Sequence, residues 1–224
     1  MLTSVRGLIF DLDGTLVDTV YAHVFAWYRA LAEAGARIEA WRIHRKIGMS
    51  GGLFTRAVAR EVGRALDSNE VEAVQRRHGE LFRELMPDRP CLPGAVELLH
   101  HLRELGIPFG IATSGRRPEI DASLEALGVG FETVVVERGH VARAKPEPDL
   151  FIACQKRLGL PAEQCYVVGD AVWDLLAARR AGMFSVGVMT GGYGEDELIR
   201  AGAFRVYRDP AELRVSLDEL GVLP

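Results

Sequence analysis

Six short apolar or β-branched runs recur along this chain, at Val5 to Phe10, Ile107 to Ala112, Thr133 to Val136, Tyr166 to Val168, Phe184 to Met189 and Phe204 to Tyr207. Most of them alternate with stretches near 94–105, 116–127, 148–158 and 171–181 that carry apolar residues at helical spacing, several closed by a glycine where helices stop: Gly106, Gly128, Gly159 and Gly182. Strand then helix, repeated, has few stable packings. The pattern predicts an α/β fold in which a Rossmann-like parallel sheet is covered by helices on both faces. In such sheets ligands collect outside the carboxyl ends of the strands, where strand order switches. Residues that immediately follow a strand-like run are therefore the first candidates for function.

One interval does not fit. The first run ends at Phe10 and the next begins at Ile107, a gap far longer than a single crossover helix needs. Residues 20–34, 53–63 and 68–85 show helical periodicity with no convincing strand among them, and Pro87, Pro90 and Pro93 mark a stiff return. The expected organisation is a core domain of residues 1–17 and 89–224 with a small α-helical cap domain, residues 18–88, inserted over the carboxyl edge. Such a lid excludes water and selects substrates. The alternative is a set of extra helices packed on the sheet for stability.

With 224 residues, 48% apolar and 26% charged, the chain can bury a sizeable core, and neither disorder nor a fibrous repeat is indicated. A net charge of −4, with arginines in scattered pairs, leaves no electrostatic footprint for a nucleic acid polymer. Cys91, Cys154 and Cys165 lack metal-ligand spacing and cannot all pair, which suits a reducing compartment. The apolar N-terminal stretch is broken by Arg6 and Asp11, too short for a signal sequence or a membrane span. The expectation is a cytoplasmic protein with no membrane partner, a monomer or small homo-oligomer.

The first run ends in Asp11-Leu-Asp13-Gly14-Thr15. Strand side chains alternate, so the two carboxylates project the same way, and Gly14 permits a sharp turn beyond them. Such a pair can hold a divalent cation, or divide covalent catalysis between an attacking group and a proton carrier, or simply form an acidic turn. A calcium loop is disfavoured, because its sixth and twelfth positions are Leu16 and Ala22 rather than glycine and glutamate. Three further clusters follow strand-like runs. Thr113-Ser114-Gly115 offers a hydroxyl and backbone N–H groups to an oxyanion, or is a plain turn. Lys145 is a cation fixed in a rigid, proline-flanked segment, or a surface lysine before a helix cap. Asp170 ends a run and Asp174 stands a helical turn later.

In their joint order and spacing, Asp11-x-Asp13, Thr113, Lys145 and Asp170 with Asp174 resemble the haloacid dehalogenase-like superfamily. The position of the insert resembles the helical-cap branch containing phosphoglycolate phosphatase and β-phosphoglucomutase. The resemblance implies that Asp11 is the nucleophile and Asp13 the general acid and base. It implies that Thr113 and Lys145 bind the transferring phosphoryl group, with Ser114 and Gly115 beside them. Asp11, Asp170 and the backbone carbonyl of Asp13 would hold Mg²⁺, with Gly14, Thr15 and Asp174 behind them. The chemistry is consistent: a carboxylate attacking a phosphate dianion needs a cation that neutralises both partners, and Mg²⁺ favours oxygen ligands. Asp174 can reach the metal through water, orient Lys145 or cap its helix. Dehalogenases of the superfamily lack an equivalent of Asp13, so phosphoryl transfer is the expected reaction class.

Within the insert, Ile43 to Gly52 is basic and then glycine-rich and resembles a substrate-specificity loop. Arg45, Lys46 or Ser50 could there read a second anionic group, or the stretch is a solvated helix end followed by a glycine cap. His23, near the start of the insert, could contact the leaving group or Asp13, or be packed in the helix. Arg76-Arg77, Arg116-Arg117 and Arg179-Arg180 read as solvated faces, with Arg116 close enough to Thr113 to approach substrate. The expected function is a Mg²⁺-dependent phosphatase acting on a small phosphomonoester. A sugar phosphomutase and a catalytically silent phosphometabolite-binding module are the alternatives.

Overall fold

A computed structural model describes residues 6–222; the beginning of the first run, Val5, lies outside them. Six strands, β1 (Gly7–Phe10), β2 (Phe109–Ala112), β3 (Val134–Val136), β4 (Cys165–Gly169), β5 (Phe184–Val188) and β6 (Arg205–Tyr207), form one parallel sheet in the order β3-β2-β1-β4-β5-β6. Order reverses at β1, so the crevice between β1 and β4 is the switch point where such sheets take ligands. Phe10 lies opposite both Ile111 and Val168. That register brings the residues after β1, β2 and β4 to one edge.

The strands obey period two because both faces are covered. Leu8, Phe10, Tyr166 and Val168 enter a core on one side, whereas Ile9, Cys165 and Val167 enter a second core on the other, with Leu150, Phe151 and Cys154. Each such fully buried side chain contributes roughly 2 kcal/mol by area removed from water. The strands are thereby held between two cores.

Between β1 and β2 lie α1 (Val20–Glu33), α2 (Ala40–His44), α3 (Gly51–Glu61), α4 (Ser68–Leu85) and α5 (Ala95–Glu104). The first four build a separate apolar cluster. Val20, Val24, Trp27 and Leu31 of α1 recur at helical spacing and meet Val74, Leu81 and Phe82 of α4 and Phe54 and Val58 of α3. Asp67 starts α4 with a capping box: its carboxylate accepts from the Glu70 N–H at 2.9 Å while Glu70 reaches back to the Asp67 N–H at 3.0 Å. The remaining helices are α6 (Asp121–Ala126), α7 (Asp149–Leu158), α8 (Val172–Arg180), α9 (Glu195–Ala201) and α10 (Pro210–Val215).

Several helices depart from the sequence expectation. The helix expected over 116–127 is only α6, since Pro118 has no N–H to donate and biases Arg117 away from helical geometry. The helix expected over 53–63 starts earlier, at Gly51, so the glycine pair opens a helix instead of extending a loop. The short helices α2, α9 and α10, of five to seven residues, were not anticipated, being too short to show a period. No helix among the described residues is long and apolar enough to cross a membrane.

Candidate active site

Asp11 continues β1, and its backbone N–H donates to the Val168 carbonyl of β4 at 2.9 Å, so the strand pairing itself aims the carboxylate into the switch point. Gly14 follows with φ +83, and a Cβ there would stand 2.5 Å from Asp170 Oδ2. Only glycine turns the chain this close to another carboxylate. Thr15 donates its hydroxyl to Asp170 Oδ1 at 2.9 Å, tying the loop after β1 to the one after β4. Thr113 continues β2, donates its N–H to the Val136 carbonyl, and accepts the Gly115 N–H on its hydroxyl at 2.9 Å.

Asp11, Thr113, Lys145, Asp170 and Asp174 are all nearly inaccessible, the most exposed at 4%. The Lys145 ammonium lies against Asp11 Oδ1, 2.8 Å from Asp174 Oδ1, and above the Phe151 ring. Burial disfavours its charge, but the two carboxylates outweigh that and raise its pKa. Asp174 also accepts the Ala171 N–H at 3.1 Å, so it both orients Lys145 and caps α8.

Oxygen atoms of Asp11, Asp170 and Asp174 lie within 4.8 Å of one another, an arrangement that can hold a metal ion. The donors are all hard carboxylate oxygens, as an alkaline-earth cation requires. The electrostatics fit as well. Burial, opposed by Lys145 and reinforced by Asp174, pushes Asp11 up to about 7, and burial with the Asp174 and Asp11 charges pushes Asp170 well above the usual carboxylate range. Three carboxylates facing one ammonium leave excess negative charge that a divalent cation would neutralise. The Asp13 side chain is turned elsewhere. It accepts from the Thr19 hydroxyl at 2.7 Å and lies 3.3 Å from His23 Nε2. Burial raises its pKa, yet His23 and Thr19 outweigh burial and hold it below the usual value.

Above this edge lies a cavity of about 510 Å³ between the sheet and the insert. Asp11, Asp13, Thr113, Ser114 and Gly115 form its floor. Lys145, Asp170 and Asp174 lie behind the floor. His23 does reach the cavity, stacked on Phe82 at 3.8 Å and with Nδ1 3.1 Å from His78 Nε2, so it is packed and in contact with Asp13 at once. Lys46 lines the wall while paired with Glu61 at 2.7 Å. Arg45 and Ser50 do not line it: Arg45 faces Glu197, and Ser50 is buried where its N–H donates to the Lys145 carbonyl at 3.0 Å.

Arg76 and Arg116 are exposed and also line the cavity, Arg116 beside Thr113 as its sequence position suggests, whereas Arg77, Arg117 and Arg180 pair with carboxylates outside it. Gln75, His78 and Arg138 also line the cavity and carry no sequence signal of it. They are brought there by the packing of α4 on α1 and by the loop after β3. Arg138 anchors itself through the Val141 and Ala142 carbonyls.

A profile described as haloacid dehalogenase-like hydrolase matches residues 5–182. A phosphoglycolate phosphatase of Rhodospirillum rubrum is 34% identical over 216 residues, covering 93% of this chain and 89% of its own. Hexitol phosphatase A of Escherichia coli is 34% identical over 185 residues, covering 82% of each. The crystal structure of a hydrolase from Pseudomonas syringae superimposes with a TM-score of 0.93 at 45% identity, over 96% of this chain and 99% of that one. A sheet that delivers an aspartate pair, a threonine, a lysine and a third aspartate to one edge is thus matched along nearly the whole chain, and this protein belongs to the haloacid dehalogenase-like hydrolases.

Proposed function

We propose that the protein is a Mg²⁺-dependent phosphatase that hydrolyses a small phosphomonoester through an aspartyl-phosphate, with residues 18–88 acting as a cap domain on a core of 1–17 and 89–224. The observation that carries this reading is the convergence of Asp11, Asp13 and Thr113 on one cavity floor, backed by Lys145 and an all-oxygen acidic cluster. Asp11, Asp170 and Asp174, with the Asp13 carbonyl, are the groups available to the ion. When bound, Mg²⁺ supplies positive charge that offsets repulsion between a phosphate dianion and the attacking carboxylate.

Asp11 attacks phosphorus, and the bond to the leaving oxygen breaks as the aspartyl ester forms. Lys145 holds Asp11 in place and neutralises part of the charge that gathers on the phosphoryl oxygens. Thr113 and the N–H groups of the loop after it receive those oxygens. Asp13 gives a proton to the leaving oxygen and then takes one from the water that opens the ester. With His23 beside it, Asp13 rests as the carboxylate; a phosphate dianion arriving alongside shifts its pKa upward, the direction that loads the proton. The substrate's remaining part occupies the cavity, where Trp27, His78 and Phe82 give an aromatic side and Gln75, Arg76 and Arg116 a polar one. That lining offers both apolar and hydrogen-bonding contacts to a small leaving group.

A phosphate-release screen over sugar phosphates, polyol phosphates, phosphoglycolate and nucleotides, with Mg²⁺ and with Asp11→Asn as the blank, tests this. Release from one class, abolished in the variant, is expected. Undiminished release by Asp11→Asn would sink the mechanism. Conversion of a hexose 1-phosphate to its 6-phosphate isomer without free phosphate, followed by phosphorus NMR with a bisphosphate activator, would establish a mutase instead.

A further inference from the structure

Arg45, which the sequence offers as a cation for substrate, is turned outward by the fold and gripped by the core. Its guanidinium pairs with Glu197 of α9, Nη1 standing 3.4 Å from Oε2 and Nη2 against Oε1, and lies 4.3 Å from the centre of the Tyr193 ring. Its backbone carbonyl accepts from the Trp173 indole N–H and from the Tyr193 hydroxyl, each at 3.1 Å. Both acceptor positions of one loop carbonyl are therefore filled by core side chains. The preceding residue docks beside it, with His44 Nε2 2.8 Å from the Gly191 carbonyl and its ring stacked on Tyr21 and Tyr193.

Immediately beyond Arg45 the chain becomes the cavity wall. Lys46 to Met49 line the cavity; short turns shape this wall, the N–H groups of Lys46, Ile47 and Met49 donating to the carbonyls of Ile43, His44 and Lys46, with Gly48 at φ +94 among them. Its far end is tied to the core as well, the Ser114 hydroxyl donating to the Gly48 carbonyl at 3.2 Å and the Ser50 N–H to the Lys145 carbonyl. A wall tied at one end to Trp173, Tyr193 and Glu197 and at the other to Ser114 and Lys145 has its ordering entropy lost before substrate arrives.

We propose that Arg45 is a positioning residue: Trp173, Tyr193 and Glu197 clasp it to the core, and the clasp fixes the 46–50 wall over the reacting groups and so sets how tightly the leaving group is held. The clasp stands on geometry alone; its consequence for KM rests on the phosphatase reading above.

Tyr193→Phe, which keeps the ring and removes one hydrogen bond, Glu197→Gln and Arg45→Gln test it by two measurements. In metal-free protein, hydrogen exchange of the 46–50 amides is expected to speed up about threefold to fivefold in Tyr193→Phe and Glu197→Gln and about tenfold in Arg45→Gln, with α5 unchanged. With Mg²⁺ and the ester found by the screen, KM rises by similar factors while kcat stays within about twofold. Unchanged exchange in all three variants overturns the clasp. A KM for doubly anionic esters that falls in Glu197→Gln but rises in Arg45→Gln overturns it too, because that pattern marks Arg45 as a direct reader of substrate charge released from its carboxylate. Should the wild type release phosphate from no ester, the phosphatase reading fails, and the exchange measurement still decides the clasp.

Discussion

The two sides of the cavity are built on different electrostatic terms. On the sheet side, Asp11, Lys145, Asp170 and Asp174 are buried together, and the ionisation of Asp11, Lys145 and Asp170 depends on the charges beside them. On the insert side, Lys46 pairs with a partly exposed Glu61, and Arg76 and Arg83 stand at the solvent-facing rim. Charges in a low-dielectric cluster cannot be exchanged singly, whereas rim charges can, because water replaces whatever partner is lost. On the proposed mechanism, reaction chemistry is held where substitution is most disruptive, and recognition where it is least so.

Substitutions that remove one charge at a time sharpen this contrast. Asp11→Asn takes away the oxygen proposed to attack while keeping the side chain's shape, and phosphate release should fall by about 10⁴-fold or more, read by a coupled phosphate assay. Lys145→Met strands Asp11 and Asp174 without their cation, so chemical denaturation should show a loss of about 3–5 kcal/mol. Mg²⁺ at about a hundredfold excess over its Kd should stabilise the wild type by about 2.7 kcal/mol, an increment abolished by a chelator and by Asp170→Asn in calorimetry.

His78 gives a pH test from the insert side. Burial, aided by the neighbouring His23, holds its pKa well below 6.5, so it stays neutral in the folded chain when the unfolded chain takes up a proton. Its contribution is full above the unfolded value and is lost as pH falls below about 6.5, by up to about 1.4 kcal/mol per pH unit. Between pH 7 and 5, His78→Phe should lose less stability than the wild type. Lys46→Met should change stability by less than about 1 kcal/mol; a loss as large as that of Lys145→Met would break the contrast.

Much of the sheet side was legible because its information is local. Asp11, Thr113 and Asp170 each follow a strand directly, and a strand's direction and period of two carry its terminal side chain to a known edge. Lys145 was legible only through its spacing to the others, its rigid flanks giving a weak signal by themselves. The insert was recognised by the length of the interruption and the helical period of α1, α3 and α4, but the orientation of its polar residues was not. Arg45 offered itself as a substrate cation and faces Glu197, while Arg76, read only as a solvated face, is exposed and lines the cavity as well. His23 joined its two readings, since one ring can stack on Phe82 and still present Nε2 to Asp13.

By itself, then, the sequence determined the α/β class, the inserted helices and the residues gathered at the sheet's edge, because short-range periodicity and chain order suffice for those. Only the tertiary structure decided which helical faces meet the cavity, that Asp174 joins the acidic cluster while the Asp13 side chain turns to His23, and that the core clasps Arg45. These depend on rotations about helix axes and on docking between residues such as Arg45 and Glu197, more than a hundred positions apart. A helix rotated by one residue keeps its period and changes its face by about 100°.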